Sequence, residues 1–180
     1  VFGPRDYLAA DSTRVDPARL DPVEASRLLW NRGCGVYFAL QDLESGGSAE
    51  DIWRNLQKAK LGLGDAWITL RGRYHWSAGE RGRRLAELQL PREFSSDLRR
   101  WHAEGLDFKF HPSAPPPREQ LWAEARALGP AWVAHWLALE SERLDTRFTD
   151  PREYAAFGRR IFPDSPILKN FLMALRDRLR

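Results

Sequence analysis

Cysteine is nearly missing from this chain. Cys34 stands alone, so no internal disulfide can form, and a reducing cytoplasm is the compartment it suits. Lysine is scarce too, Lys58, Lys60, Lys109 and Lys169 being the whole set, and arginine carries most of the positive charge. No apolar run approaches the roughly 20 residues needed to cross a bilayer, and no signal-peptide pattern opens the chain, so no membrane is expected. Strict alternation of apolar and polar residues is nearly absent, as are hairpin turn signals, which argues against strands. No methionine precedes Val1, which reads as the start of an excised or processed segment.

What is present fits a helical globular protein. The 180 residues include eight tryptophans and 43% hydrophobic residues, enough to bury a sizeable core in one domain. A charged fraction of 29% excludes a low-charge membrane protein, and that much apolar content excludes a disordered chain. The net charge is only +3, although the sequence pI is near 9.3. Nucleic acid is therefore not an expected partner, and an RNA-binding role would have to show itself as a steep salt dependence.

Helix boundaries are punctuated clearly. Asp21-Pro22-Val23-Glu24 and Asp150-Pro151-Arg152-Glu153 each place a capping aspartate, a first-turn proline and a glutamate in order. Ser77-Ala78-Gly79-Glu80 and, more weakly, Ser48-Ala49-Glu50-Asp51 read as capping boxes, and Ser165-Pro166 opens a last helix. Apolar residues repeat at helical spacing in Ile52, Leu56, Leu63, Trp67 and Leu70, and again in Leu121, Ala125, Leu128, Trp132 and Trp136, with Pro130 as a kink. Ile167, Phe171, Ala174 and Leu175 do the same near the end. These signals predict helices near 22–43, 49–71, 78–89, 92–104, 117–143, 151–161 and 166–178. The expected fold is all-α, a helical bundle of about six or seven helices behind an extended N-terminal lead-in over 1–20. A proline-rich connector, 109–117, separates a front helical group at 21–108 from a rear one at 118–180, with 21–180 together as one domain.

Metal and nucleophile chemistry find little support. His75, His102, His111 and His135 are not paired at two, three or four residues, and there is no His-Glu-x-x-His, so no zinc site is expected. The arginine-to-histidine spacing of helical nucleases is missing as well. Leu61-Gly62-Leu63-Gly64-Asp65 lies inside a helical pattern and reads as close helix packing or a kink rather than a phosphate loop. Cys34, within Asn31-Arg32-Gly33-Cys34-Gly35, reads as a buried structural thiol.

Two basic regions remain. At 100° per residue, Arg54, Lys58 and Asp65 fall within about 40° of one another, opposite Ile52, in a stripe running toward Arg71 and Arg73. A solvated helix face explains such a stripe. The functional reading is a surface that holds phosphates on Lys58 and the arginines while Asp65 orients a cation or a hydroxyl. Over residues 70–85, Gly72 ends one helix, Ser77 and Glu80 start the next, and Tyr74 and Trp76 pack beneath the turn as a staple. Arg71 sits in a last helical turn where the dipole favours it. Arg73 and His75 are left over as candidate ligand contacts.

Several stretches carry a resemblance to a known family. Val1-Phe2-Gly3-Pro4, followed by Glu24-Ala25-Ser26-Arg27-Leu28-Leu29-Trp30-Asn31-Arg32, resembles the lead into the helical C-terminal region of nucleotidyltransferase-like proteins. Lys60-Leu61-Gly62-Leu63-Gly64-Asp65-Ala66, Arg71-Gly72-Arg73-Tyr74-His75-Trp76-Ser77 and Glu80-Arg81 resemble its middle, and Leu168-Lys169-Asn170-Phe171-Leu172 its last helix. In that superfamily an α/β domain supplies a Gly-Ser pair and an Asp-x-Asp that hold two metal ions and a nucleoside triphosphate. Here Gly3 precedes Pro4, and no Asp-x-Asp occurs. The resemblance thus implies the accessory half. It would be a helical domain without catalytic residues or metal ligands of its own, placing Lys58, Asp65, Arg71, Arg73 and His75 at a nucleotide or acceptor cleft. Its partner would be an upstream or separate catalytic domain bringing Mg and nucleoside triphosphate. The alternative is a stand-alone helical interaction module, docking a protein partner or a second copy through Trp53, Trp101 or Trp122.

Overall fold

Ser48, Ser77 and Asp150 each stop a loop and start a helix by accepting a backbone N–H, from Asp51, Glu80 and Arg152 respectively. The computed structural model describes residues 16–91 and 94–157. Six α-helices and no strand occur among them: α1 (Val23–Ser45), α2 (Ala49–Leu70), α3 (Ala78–Glu87), α4 (Ser95–Phe110), α5 (Arg118–Arg143) and α6 (Pro151–Ala156). The fold is all-α. A short 3-10 turn, Pro17–Arg19, occupies part of the expected extended lead-in. The Asp21 carboxylate accepts from Val23 N at 2.9 Å at the entry to α1.

α2 is the central element. It packs against α1, α3 and α4, and every residue from Gly62 to Thr69 is buried, so its second half is enclosed on all sides. Leu63, Ala66, Trp67 and Ile68 are part of the core, which also buries Leu85 of α3, Leu98 and Trp101 of α4, and Leu121, Ala125 and Leu128 of α5. Glycines permit the closest approaches. A Cβ on Gly64 would strike the His102 ring, and one on Gly62 would meet the Arg32 stem at 2.6 Å, so the Gly62–Gly64 pair serves helix packing.

α4 runs to Phe110, six residues beyond its expected end. Gly105 is not a stop but a crossing point, where a Cβ would lie 2.7 Å from the Gln57 carbonyl oxygen of α2. The final turn is then held by Phe108, whose ring packs on Trp53 at 6.1 Å. The connector therefore shrinks to 111–117. α1 ends at Gly46, with φ of 84°, and Arg118 at the start of α5 donates to the carbonyls of Asp42, Leu43 and Gly47. One guanidinium thus satisfies carbonyls that a helix terminus leaves orphaned.

The chain divides into two compact units between Trp136 and Leu137, and the proline-rich segment lies inside the first. The second unit has its own small core around Phe148 and Tyr154. Glu140, fully buried there, accepts from Tyr154 Oη at 2.9 Å and from Arg143 Nη2 at 2.7 Å. Asp150 and Glu153 form the expected capping box of α6. Phe157 ends α6, and positions 158–161 of the helix expected over 151–161, with the one over 166–178, lie outside the described residues.

Candidate functional site

Asp65 of α2 does not belong to a solvated stripe. It is 7% exposed, and its Oδ1 accepts from Arg81 Nε of α3 at 2.8 Å, while His102 Nε2 of α4 lies 3.1 Å from the same oxygen. Arg54 and Lys58, on the same angular sector, are exposed. Arg81 and His102 are themselves 4% and 2% exposed. A carboxylate beside an imidazole is chemistry that a hydrolase could use, but all three groups are buried among themselves. Their arrangement balances charge and joins three helices.

Arg81, rather than Arg71 or Arg73, is the cation beside Asp65. Its Nη1 donates to the carbonyls of His75 and Trp76, and its guanidinium stacks over the Tyr74 ring at 5.1 Å. Arg84 donates to the carbonyls of Arg73 and Tyr74. Two arginines of α3 thus tie down the 71–77 turn. His75 accepts from Ser77 N at 3.1 Å through Nδ1, a bond that replaces half of the expected capping box. The Glu80 carboxylate, which that half would have used, turns to Arg83 and Arg84 instead. Hydrogen bonds from Arg83 and Arg84 pull its carboxyl down to about 2. Arg73 Nη2 donates to Glu87 at 3.2 Å, and Arg71 lies exposed at the end of α2. Trp76 is 78% exposed rather than packed beneath the turn.

Sequence reasoning missed Arg81 and Lys60. Lys60 is 1% exposed, between Glu104 of α4 and Glu124 of α5 at 2.6 Å each. A signal existed for both. Arg81 shares a side of α3 with Ala78 and Leu85, and Lys60 follows Leu56 by one helical turn, so each cation interrupts an apolar stripe. Of the tryptophans expected to dock a partner, Trp101 is buried, and Trp53 is half-buried and donates to Ser113.

Of the five candidates, Lys58 lines an open cavity. With Arg32, Asn31, Gly35 and Phe38 of α1 and Asn55 of α2 it borders a polar pocket of about 300 Å³. No carboxylate lines that pocket, and neither Arg32 nor Lys58 joins an ion pair among the described residues. The Arg32 stem rests on Gly62, which holds its position. Cys34, exposed rather than buried, also borders the pocket.

On the other side of Cys34 lies an apolar groove of about 630 Å³ between α1 and α5. Trp30, Tyr37 and Leu40 form one wall, and Trp132, Val133 and Trp136 the other. Trp136 meets Trp30 and Trp132 edge to face, with ring centroids 5.0 and 5.3 Å apart. Among the described residues no group of three or more His, Cys, Asp or Glu could hold a metal ion, and no helix is long and apolar enough to cross a membrane. No family model, curated protein or solved structure matches the chain.

Proposed function

We propose that this chain is the helical, non-catalytic part of a nucleotidyltransferase-like protein, holding the phosphates of a nucleotide or acceptor between α1 and α2. One observation carries the reading. Among the described residues, Arg32 and Lys58 face a pocket with no carboxylate to neutralise them, flanked by the amide side chains of Asn31 and Asn55. Two cations and two amide donors suit a phosphate group, whose oxygens accept several charge-assisted hydrogen bonds at once. Mg and the group-transfer step would belong to a separate catalytic domain, since this sequence has no Asp-x-Asp to hold the ion. Asp65, Arg73 and His75 serve this function indirectly, by fixing the turn between α2 and α3.

Calorimetric titration with inorganic triphosphate tests the proposal. Two lost charge-assisted contacts should weaken binding by about 100-fold in an Arg32→Ala/Lys58→Ala variant. Arg73→Ala, whose side chain is engaged with Glu87, should stay within about twofold of the parent chain. Unchanged affinity in the double variant would remove the pocket from consideration.

A further inference from the structure

The polar pocket and the apolar groove meet at one residue. Cys34 borders both, and its neighbours Gly33 and Gly35 face the groove and the pocket respectively. Three small residues in succession make a low saddle across α1, between the bulky Trp30 on one side and Tyr37 and Phe38 on the other. Gly33 is filled from the groove side by the Trp132 ring, and Gly35 lies against Asn55 on the pocket side. A molecule lying over this saddle would put one end among cations and amides and the other among indole rings.

The geometry points to a single-chain amphiphilic phosphate as the ligand, with its head on Arg32 and Lys58 and its hydrocarbon tail along the α1–α5 groove. The amphiphile depends on the anion site proposed above, because its head must sit there. Charge complementarity sets the sign of the head, since among the described residues the pocket offers cations and no acid, and Arg126 is the one charged residue lining the groove. Groove shape sets the tail. From the Cys34 saddle to Leu40 the wall extends about 9 Å along α1, room for several methylenes of one extended chain. Its volume of about 630 Å³ lies in the range of small-molecule sites, roughly 300–1,000 Å³. Trp30, Tyr37 and Val133 are 44%, 58% and 37% exposed, leaving the apolar walls accessible to such a chain.

Three probes below their aggregation limits test this: inorganic triphosphate, methyl phosphate and dodecyl phosphate, each titrated into the full chain. Each buried methylene strengthens binding by about fourfold, so dodecyl phosphate should bind at least about 100-fold more tightly than methyl phosphate. Val133→Glu, at an exposed groove position, should abolish that gain and leave triphosphate binding as it was. Arg32→Ala/Lys58→Ala should weaken all three probes. Equal affinity for the two monophosphates, with triphosphate still bound, would overturn the tail assignment and leave the anion site standing. Dodecyl phosphate binding that ignores the double variant would overturn it too, showing an apolar groove that needs no head group. Loss of triphosphate binding from the parent chain would remove both proposals. A second readout uses the lone thiol: dodecyl phosphate lying over the saddle should slow Cys34 alkylation at least tenfold, and an unchanged rate would place the ligand elsewhere.

Discussion

The Asp65 carboxylate carries two donors on one oxygen, with Arg81 Nε at 2.8 Å and His102 Nε2 at 3.1 Å, and none of the three has appreciable contact with solvent. Removing one partner of such a pair leaves the other charge buried and uncompensated. Asp65→Ala should therefore cost about 3–5 kcal/mol of unfolding free energy, read from urea denaturation. Arg73→Ala breaks an ion pair whose side chains are 43% and 46% exposed, and should cost less than about 0.5 kcal/mol. Similar losses in the two variants would show that Asp65 is solvated after all. Which residues were polar and which helix face they shared was legible from spacing alone. Their partners were not, because His102 is 37 positions from Asp65 and Glu104 is 44 from Lys60. Helical periodicity reports one element at a time. It says nothing about a charge arriving from another helix, so a buried aspartate and a solvated one at the same angle look alike. Lys58 stayed exposed and Asp65 did not, although about 20° separates them around α2.

Glycines separate two kinds of helix position at the scale of the element. In α4, a Cβ on Gly105 would meet backbone atoms of α2, the Gln57 carbonyl and Leu61 N, both at 2.7 Å, and neither can rotate aside. Gly105→Ala should force α2 and α4 apart at a cost of about 1–3 kcal/mol. In α3, Gly79 has nothing within 4 Å of an added Cβ, and alanine there gains helix propensity. Gly79→Ala should stabilise by about 0.5–1 kcal/mol. Thermal unfolding should thus shift in opposite directions for the two glycine-to-alanine changes, and a neutral Gly105→Ala would mean a looser α2–α4 crossing than the structure has. The same contrast explains what the sequence revealed about the elements. Ser48, Ser77 and Asp150 announced three helix starts correctly, because a capping hydrogen bond is local chemistry within a few residues. The end of α4 was not legible, because a glycine that stops a helix and one that admits a neighbouring backbone are the same letter. Cys34 was misjudged for a related reason. Small flanking residues signalled close packing, which is true of Gly33 against Trp132, while the thiol itself faces outward.

For the molecule as a whole, the all-α class was readable throughout, but the division between Trp136 and Leu137 falls inside α5, where no break in the sequence pattern marks it. Just before that division, His135 joins three helices of the first unit. Trp67 Nε1 of α2 donates to its Nδ1 at 3.2 Å, and its ring lies 4.3 Å from that of Phe94 and 6.3 Å from that of Trp101 in α4. Burial among these rings lowers its pKa from 6.5 to about 4, with Asp97 opposing the shift weakly. The sign follows from proton binding. Unfolded histidine takes up a proton near 6.5, folded His135 resists until about 4, and so acid favours the unfolded chain. The contribution is complete above pH 6.5 and is lost as the pH falls through that window, to a limit of about 3 kcal/mol. Protonation also turns Nδ1 from acceptor to donor and breaks the Trp67 bond. His135→Gln keeps an acceptor for Trp67 but cannot titrate, so its unfolding free energy should depend less steeply on pH between 6.5 and 4 than that of the parent chain. The comparison rests on the slope, which stays informative even if the glutamine variant is less stable at every pH. Carboxylates that titrate in the same range contribute equally to both chains and cancel in the difference. Parallel slopes would mean that the His135 ring meets water, and that the contact among α2, α4 and α5 is open at its centre.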